Sequence, residues 1–470
     1  MKRLIASASL LALSACAGHP DPSPTPDQVA VPETFVMAPG NRAASEHELA
    51  ALLPDDPAFV LLASRTLDEG PDLAGAMARI EMARAIASRA RAERMPSVGY
   101  NAGVEGRRIN PDMFGADVAN LVKFDRELVG YGANLSADWD ADLFGRLKAS
   151  QRAAAYRVDA ASADAAAMRV ALIAEVAAAV IDWRTIEAQG RALAEDARGA
   201  EELGRLARIR EAAGLTPGIA SERAAAQAAA SRARVAAIAG QQALLTGRLV
   251  ALTALPADEV VAIMGDGALP DELAGPPPAL PSTLVARRPD IAASAARLAA
   301  ADAEVAAAAA ARFPRLNLKA GIGLLAFALG DLFETGSIVG NLGAGLAGPL
   351  LDFGRIASEI DRAEAATRLA FEDYRKTVFT AFGEAEACYG LVAATDMEAE
   401  ASHQQAAAAL HAARLTRTRM DAGLATLSEA LEQQRLADAG QAEAAAARGR
   451  AQRARIRLWQ ALGGGPLPRD

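Results

Sequence analysis

The chain has 470 residues, of which 52% are hydrophobic but only 4% aromatic, and it carries a formal net charge of −9. That acidic balance excludes an electrostatic nucleic-acid surface. Two cysteines and four histidines give no Cys/His metal spacing, and no glycine-rich phosphate loop stands between a strand and a helix, so no cofactor and no metal are expected.

Lys2 and Arg3 precede an apolar run from Leu4 to Leu13. A basic segment followed by a short apolar one makes a secretory signal, too short to span a membrane as a mature helix. It ends in Leu13-Ser14-Ala15-Cys16, which resembles a bacterial lipobox in which Cys16 becomes the lipidated first residue. Residues 1–15 are therefore read as signal peptide. Ala17 follows Cys16 where an inner-membrane retention signal would place Asp, so the outer membrane is favoured. His19–Thr34, "HPDPSPTPDQVAVPET", reads as a Pro-rich extended tether. Residues 16–69 are thus anchor, tether and an N-terminal periplasmic segment. With Cys16 acylated no intrachain disulfide can form, and Cys388 in an Ala-rich helix reads as a small buried residue. After the signal, no stretch reads as a transmembrane helix.

Two similar halves follow. Pro71 in "GPDLAGAMARI" matches Pro289 in "RPDIAASAARL", and Pro96 matches Pro314, both at an offset of 218. Phe144-Gly145-Arg146 recurs as Phe353-Gly354-Arg355, Gly214 as Gly423 and Arg248 as Arg457, all at an offset of 209. Landmarks that hold register over this length predict a duplication. Repeat 1 spans 70–265, a Pro-rich linker 266–280, and repeat 2 spans 281–470. The nine residues by which the offset falls are placed in the loop "RRINPDMFGADVANLVKFDREL" of repeat 1.

Each half reads helix, strand, loop, strand, long helix, turn, helix. The segments 97–107, 128–140, 315–326 and 336–352 alternate, with glycines between larger residues, as strands of a membrane β-barrel do. The Phe-Gly-Arg corner stands where strand periodicity gives way to helix periodicity. Gly145 and Gly354 permit the turn, and Arg146 and Arg355 open the helix and can tie the corner to a carboxylate or carbonyl. Asp140, Asp142 and Asp352 beside it suit capping and strand-end pairing better than catalysis, since the second corner keeps one acid. No proline interrupts 146–213 or 355–422, so each predicted helix is about 100 Å long at about 1.5 Å per residue. Leu172, Val176, Trp183 and Ile186 recur at steps suited to a coiled-coil seam. Gly214 and Gly423 end these helices, and Leu215 and Leu424 beside them offer exposed apolar knobs for a partner at the hairpin tips. His403 and His411, eight apart, read as a solvated or packed face rather than ligands.

Four strands cannot close a barrel, and an open edge in lipid leaves unsatisfied backbone groups. The chain must therefore share a barrel with other copies. Two copies would give eight strands and a side-chain-filled interior, and three would give twelve. The fold class expected is an α+β membrane protein, with antiparallel helical hairpins and four transmembrane strands per chain.

The lipobox, "LPSTLVARRPDIAASAARLAAADAEVAAAAAARFPRLNL", "DWDADLFGRLKAS", "GPLLDFGRIAS", "MDAGLATLSEALEQQR" and "LWQALGGGPLP" together resemble the outer membrane factors, the TolC-like channels in their OprM/NodT-type lipoprotein branch. The resemblance covers nearly the whole mature chain. It implies a homotrimer with a twelve-stranded barrel in outer-membrane lipid and an α-helical tunnel through the periplasm. It also implies a periplasmic adaptor (membrane fusion) protein, an inner-membrane transporter, and passage of small molecules without enzymatic chemistry. At positions matching Glu432 and Arg435, the resembled lipoprotein channels line a periplasmic constriction with an acidic residue and an arginine. The repeat-1 counterparts here are Arg223 and Ala226, so this pair belongs to one repeat only. Read from spacing alone, Glu432 and Arg435 are a helical i,i+3 ion pair. "GLTPGIASERAAAQ" departs from the family by placing Pro217 and Gly218 where polar helix-starting residues are usual. The competing functions are type I protein secretion and a non-pore coiled-coil lipoprotein. Tyr131 and Trp139, which resemble membrane-interface anchors, argue for the pore.

If Cys16 is the acylated first residue, Cys16→Ser abolishes radiolabelled-palmitate incorporation while part of the protein still inserts. Unchanged labelling would contradict the assignment.

Overall fold

The computed structural model describes residues 23–108, 127–270 and 272–467. Cys16 and most of the loop assigned the nine extra residues lie outside them. In chain order the elements are α1 (Glu46–Ala50), α2 (Pro57–Glu69), α3 (Pro71–Ala92), β1 (Ser97–Arg108), β2 (Glu127–Asp140), α4 (Arg146–Ala212), α5 (Gly218–Thr253) and α6 (Ala257–Met264). Then come α7 (Pro281–Arg287), α8 (Pro289–Ala310), β3 (Arg315–Ala326), β4 (Ile338–Ala347), α9 (Arg355–Asp421) and α10 (Leu427–Ala461). Helices α4 and α9 each run 67 residues. By compactness the described chain divides across both halves. One unit holds 81–160 and 295–373, and the other holds 27–80, 161–294 and 374–470.

The first unit contains one antiparallel sheet in the order β1-β2-β3-β4. Its register sorts side chains by chemistry. On one face lie Val98, Tyr100 and Val104, then Tyr131, Leu135 and Trp139, then Leu316, Leu318 and Ile322, then Ile338, Leu342 and Leu346. On the other lie Asn101, Glu105, Asn134, Asp138, Asn317, Lys319 and Asn341, with glycines between them. Period-two alternation produces this sorting once the register is set. The glycines have a packing use on the polar face. A Cβ on Gly323 would overlap the Asn134 side chain, and one on Gly321 would overlap that of Asn341. The fourth strand is shorter than the alternation from 336 to 352 suggested. A 3-10 turn takes Thr335–Ser337, and Gly348-Pro349 stops the pairing, because proline has no N–H to give the ladder.

In the second unit, α4 and α5 form one antiparallel hairpin and α9 and α10 another. Arg248 meets Glu175 and Arg232 meets Glu201 in the first, while Arg455 meets Asp396 and Arg450 meets Glu398 in the second. Helix α10 also lies on α4, where Arg453 pairs with Asp182 at 3.0 Å. A Cβ on Gly449 would overlap Thr185, so the two backbones approach closely there. The helices therefore lie side by side in the order α5-α4-α10-α9. The seam on α4 is Leu172, Val176, Val180 and Trp183, all buried, with Ile186 half-buried.

Two expectations are corrected. Helix α5 is by length and composition apolar enough to cross a membrane, yet only 11% of its apolar window is buried. Alanine raises its hydropathy, and it occupies an outer place in the helix row. Second, the tether His19–Thr34 is anchored at Val29, its one buried residue among those described, and the buried Phe35 follows it directly. Phe35 lies against Phe382 and Tyr389 with ring centroids 5.9 and 6.2 Å away, and the Glu386 carboxylate accepts the Val36 and Met37 N–H groups. Residues 46–69, read only as a periplasmic segment, fold as α1 and α2. A nearly buried ion pair ties them to α4, with Arg184 Nε donating to Asp56 Oδ2 at 2.9 Å.

Phe35→Ala removes the aromatic anchor of this strap, a loss of about 3 kcal/mol. Amide exchange across 29–37 should rise by roughly two orders of magnitude, while exchange in α9 beyond Tyr389 stays as in wild type.

Candidate functional site

The two strand-to-helix corners reach the same end by different residues. At the first, Gly145 takes φ +75° and Asp142 φ +47°. The Asp142 carboxylate accepts the Leu147 and Lys148 N–H groups, and Arg146 donates to Asp140 Oδ2 at 3.1 Å. At the second, Gly354 takes φ +89° and Phe353 φ +53°, and Asp352 accepts from Ile356 N at 2.9 Å and Gly354 N at 3.3 Å. Those backbone bonds hold the Asp352 carboxyl below its usual pKa, and the Arg355 charge adds to the effect. All three aspartates are thus committed to capping or pairing. Arg355 forms no ion pair among the described residues, unlike Arg146.

Both hairpin tips carry the same helix stop. Gly214 (φ +70°) donates to Glu211 O at 2.8 Å, and Leu215 donates to Arg210 O at 2.8 Å. Gly423 (φ +75°) donates to Met420 O at 2.9 Å, and Leu424 donates to Arg419 O at 2.8 Å. This paired pattern satisfies the last carbonyls and needs a left-handed residue, which glycine supplies. Leu215 and Leu424 are 74% and 69% exposed, so each tip presents an apolar side chain to solvent. The returning helices start differently. Thr426 and Glu429 form a reciprocal capping box on α10, whereas Pro217 precedes α5 with no side-chain cap.

Glu432 and Arg435 are bonded at 2.9 Å, but the pair is not merely solvated. Arg435 also donates through Nε to Asp196 Oδ1 at 3.2 Å, and Arg234 approaches Asp196 Oδ2 at 3.2 Å. Asp196 is 2% exposed, so one buried carboxylate joins α4, α5 and α10. Glu432, Arg435, Arg210, Arg223 and Thr216 line a groove of about 380 Å³ beside it. Sequence reasoning found Glu432 and Arg435 but missed Asp196 and Arg234, because an acid on an Ala-rich helix reads alike whether it faces water or a neighbour. One turn along α10, buried Asp438 accepts from Gln434 at 2.9 Å. Burial pushes its carboxyl up from the usual range; the Gln434 bond opposes this, and the charges of Asp196 and Glu195 add to it.

His403 and His411 are both exposed, and no metal-competent cluster exists among the described residues. Cys388 is half-buried rather than fully buried, and burial pushes its thiol pKa up.

A sheet with one apolar face, joined through glycine corners to paired 67-residue helices, is the construction of an outer-membrane channel subunit. The family described as "Outer membrane efflux protein" matches residues 62–255 and 280–464. The pyoverdine export outer membrane protein OpmQ of Pseudomonas aeruginosa is 31% identical, covering 99% of this chain and 97% of its own. The toluene efflux pump outer membrane protein TtgF of Pseudomonas putida is 28% identical over 97% and 95%. The solved outer-membrane channel OprN superposes with a TM-score of 0.83, at 24% identity, over 95% of this chain and 99% of that one. The chain belongs to the outer membrane efflux protein family, a family of channel proteins, and is an outer-membrane channel component of an efflux system.

Asp438 is a carboxyl whose pKa burial raises. A carboxyl whose pKa is raised on folding contributes stability below the unfolded pKa and loses it as pH rises through the folded one. Asp438→Asn should therefore raise the Tm at pH 7 and give no gain at about pH 4. Equal gains at both pH values would contradict this reading.

Proposed function

We propose that three copies of this chain close a twelve-stranded barrel in the outer membrane. The barrel and a periplasmic helical tunnel then conduct small molecules handed over by a periplasmic adaptor and an inner-membrane transporter. The observation that carries the reading is that β1 and β4 each have one neighbour, in a sheet whose apolar face suits lipid. Backbone groups cannot stay unpaired in hydrocarbon, so β4 of one copy pairs with β1 of the next. Twelve strands leave an open lumen where eight fill with side chains. The outer helices α5 and α9 fit the same arrangement, since the apolar face that α5 leaves uncovered would meet the next copy's α9. The apolar sheet face then meets lipid and the polar, glycine-thinned face lines the pore. Equal lengths in the two halves, 22 residues for α3 and α8 and 12 for β1 and β3, support an ancestral duplication.

Cys16 carries the lipid anchor in this reading. The tips, Gly214-Leu215 and Gly423-Leu424, are the adaptor contact, and Glu432 and Arg435 close the periplasmic end. Asp196 gives that closure a mechanism. It holds Arg435 from α4, so opening moves α10 against a buried charge rather than a solvated one.

Native mass spectrometry of the detergent-extracted protein should give three chains, and planar bilayers should show unit conductances. A monomer or dimer without conductance would reject the reading. Glu432→Ala with Arg435→Ala should raise resting conductance and vancomycin sensitivity without loss of the trimer. Leu215→Asp with Leu424→Asp should abolish crosslinking to the adaptor while trimers persist.

A further inference from the structure

Four arginines, Arg146, Arg315, Arg355 and Arg362, line one cavity of about 840 Å³ at the base of the sheet. Two are neutralised in place: Arg146 pairs with Asp140 at 3.1 Å and Arg362 with Glu359 at 2.7 Å. Glu304, also in the lining, pairs with Arg157. Arg315 and Arg355 form no ion pair among the described residues. Asp352, the acid that feels the Arg355 charge, spends both its oxygens on backbone N–H groups. The cavity therefore carries two exposed guanidinium groups with no ion-pair partner among the described residues.

Its position follows from the sheet register. Arg315 opposes Ala347 and shares the polar face with Asn317, and all three line the cavity. If the apolar face meets lipid, the cavity opens on the pore side. Guanidinium groups present a planar fork that binds carboxylates bidentately, and the volume is that of a small-molecule site. We propose that Arg315 and Arg355 form a transit subsite for carboxylate-bearing organic anions at the base of the pore. The subsite rests on the channel reading above. It concentrates anionic cargo at the base of the barrel and biases the channel toward anions.

The full-length channel in planar bilayers tests this, with citrate as the probe. In a KCl gradient the wild-type reversal potential should show anion preference, and citrate should block the current. Arg315→Gln with Arg355→Gln should move the reversal potential toward cations and raise the half-blocking citrate concentration by ~10-fold, as loss of a charge-assisted bond implies. Arg315→Lys with Arg355→Lys should keep the reversal potential but weaken the block, since ammonium lacks the fork. Arg362→Gln, which removes a paired charge, should change the block by less than about twofold. Conducting trimers of the Gln variant with wild-type block and reversal potential would overturn the subsite alone. So would unchanged block together with loss of bound phosphatidylglycerol in native mass spectrometry, which would make the arginines a lipid-phosphate site. A wild-type protein that never conducts would overturn the channel reading and the subsite with it.

Discussion

The backbone hydrogen bond in a medium without water governs this chain. A strand in hydrocarbon must find partners for every N–H and C=O along both sides. The four strands satisfy one another internally and leave β1 and β4 each with a single neighbour. On the proposed shared barrel, everything beyond the sheet has to suit a subunit that its neighbours complete. That includes an uncovered apolar stretch on α5, which would be a liability on a soluble monomer.

Long helices joined to such a sheet face a second backbone constraint, at their ends. Each corner and each tip must dispose of unpaired helix-terminal groups without a surrounding core. Aspartate side chains accept the first N–H groups at both corners, and left-handed glycines let the last carbonyls be satisfied at both tips. The details vary while the hydrogen-bond result does not. Asp142 and Asp352 stand at different distances from their helices, and α10 has a capping box where α5 has only Pro217. Backbone satisfaction is the invariant: the glycines and capping aspartates recur, while the start of the returning helix varies.

Where helices lie side by side, alanine and glycine allow close approach and polar groups fix the alignment. Ala447 and Ala451 are fully buried on α10, and Gly449 lies directly against Thr185. Small residues pack well but discriminate poorly between neighbouring registers. Paired charges supply the discrimination: Arg453 with Asp182, Arg455 with Asp396, and Arg435 and Arg234 on Asp196. A register slip would strand a buried carboxylate, which costs far more than an alanine contact gains.

The corners, the tips and the main elements of each half were legible in the chain because each is written in local chemistry, whereas the short helices α1, α2, α6 and α7 were not. Period-two alternation marked β1, β2 and β3 to within a residue or so, absence of proline marked the long helices, and glycine marked where they stop. The sequence also carries the motifs that resemble the outer membrane factors. It overextended β4, since alternation continues past the point where Gly348-Pro349 ends the pairing. It gave Phe35, just beyond the tether, no partner, because nothing near it announces Phe382 and Tyr389 about 350 residues away. Which charged residues matter to one another was settled in three dimensions. Asp196, Arg234 and Arg435 meet across three helices, and Arg315 and Arg355 are left without ion-pair partners in one cavity. Propensity and periodicity are properties of neighbours in the chain, whereas burial and pairing of charge are properties of neighbours in space.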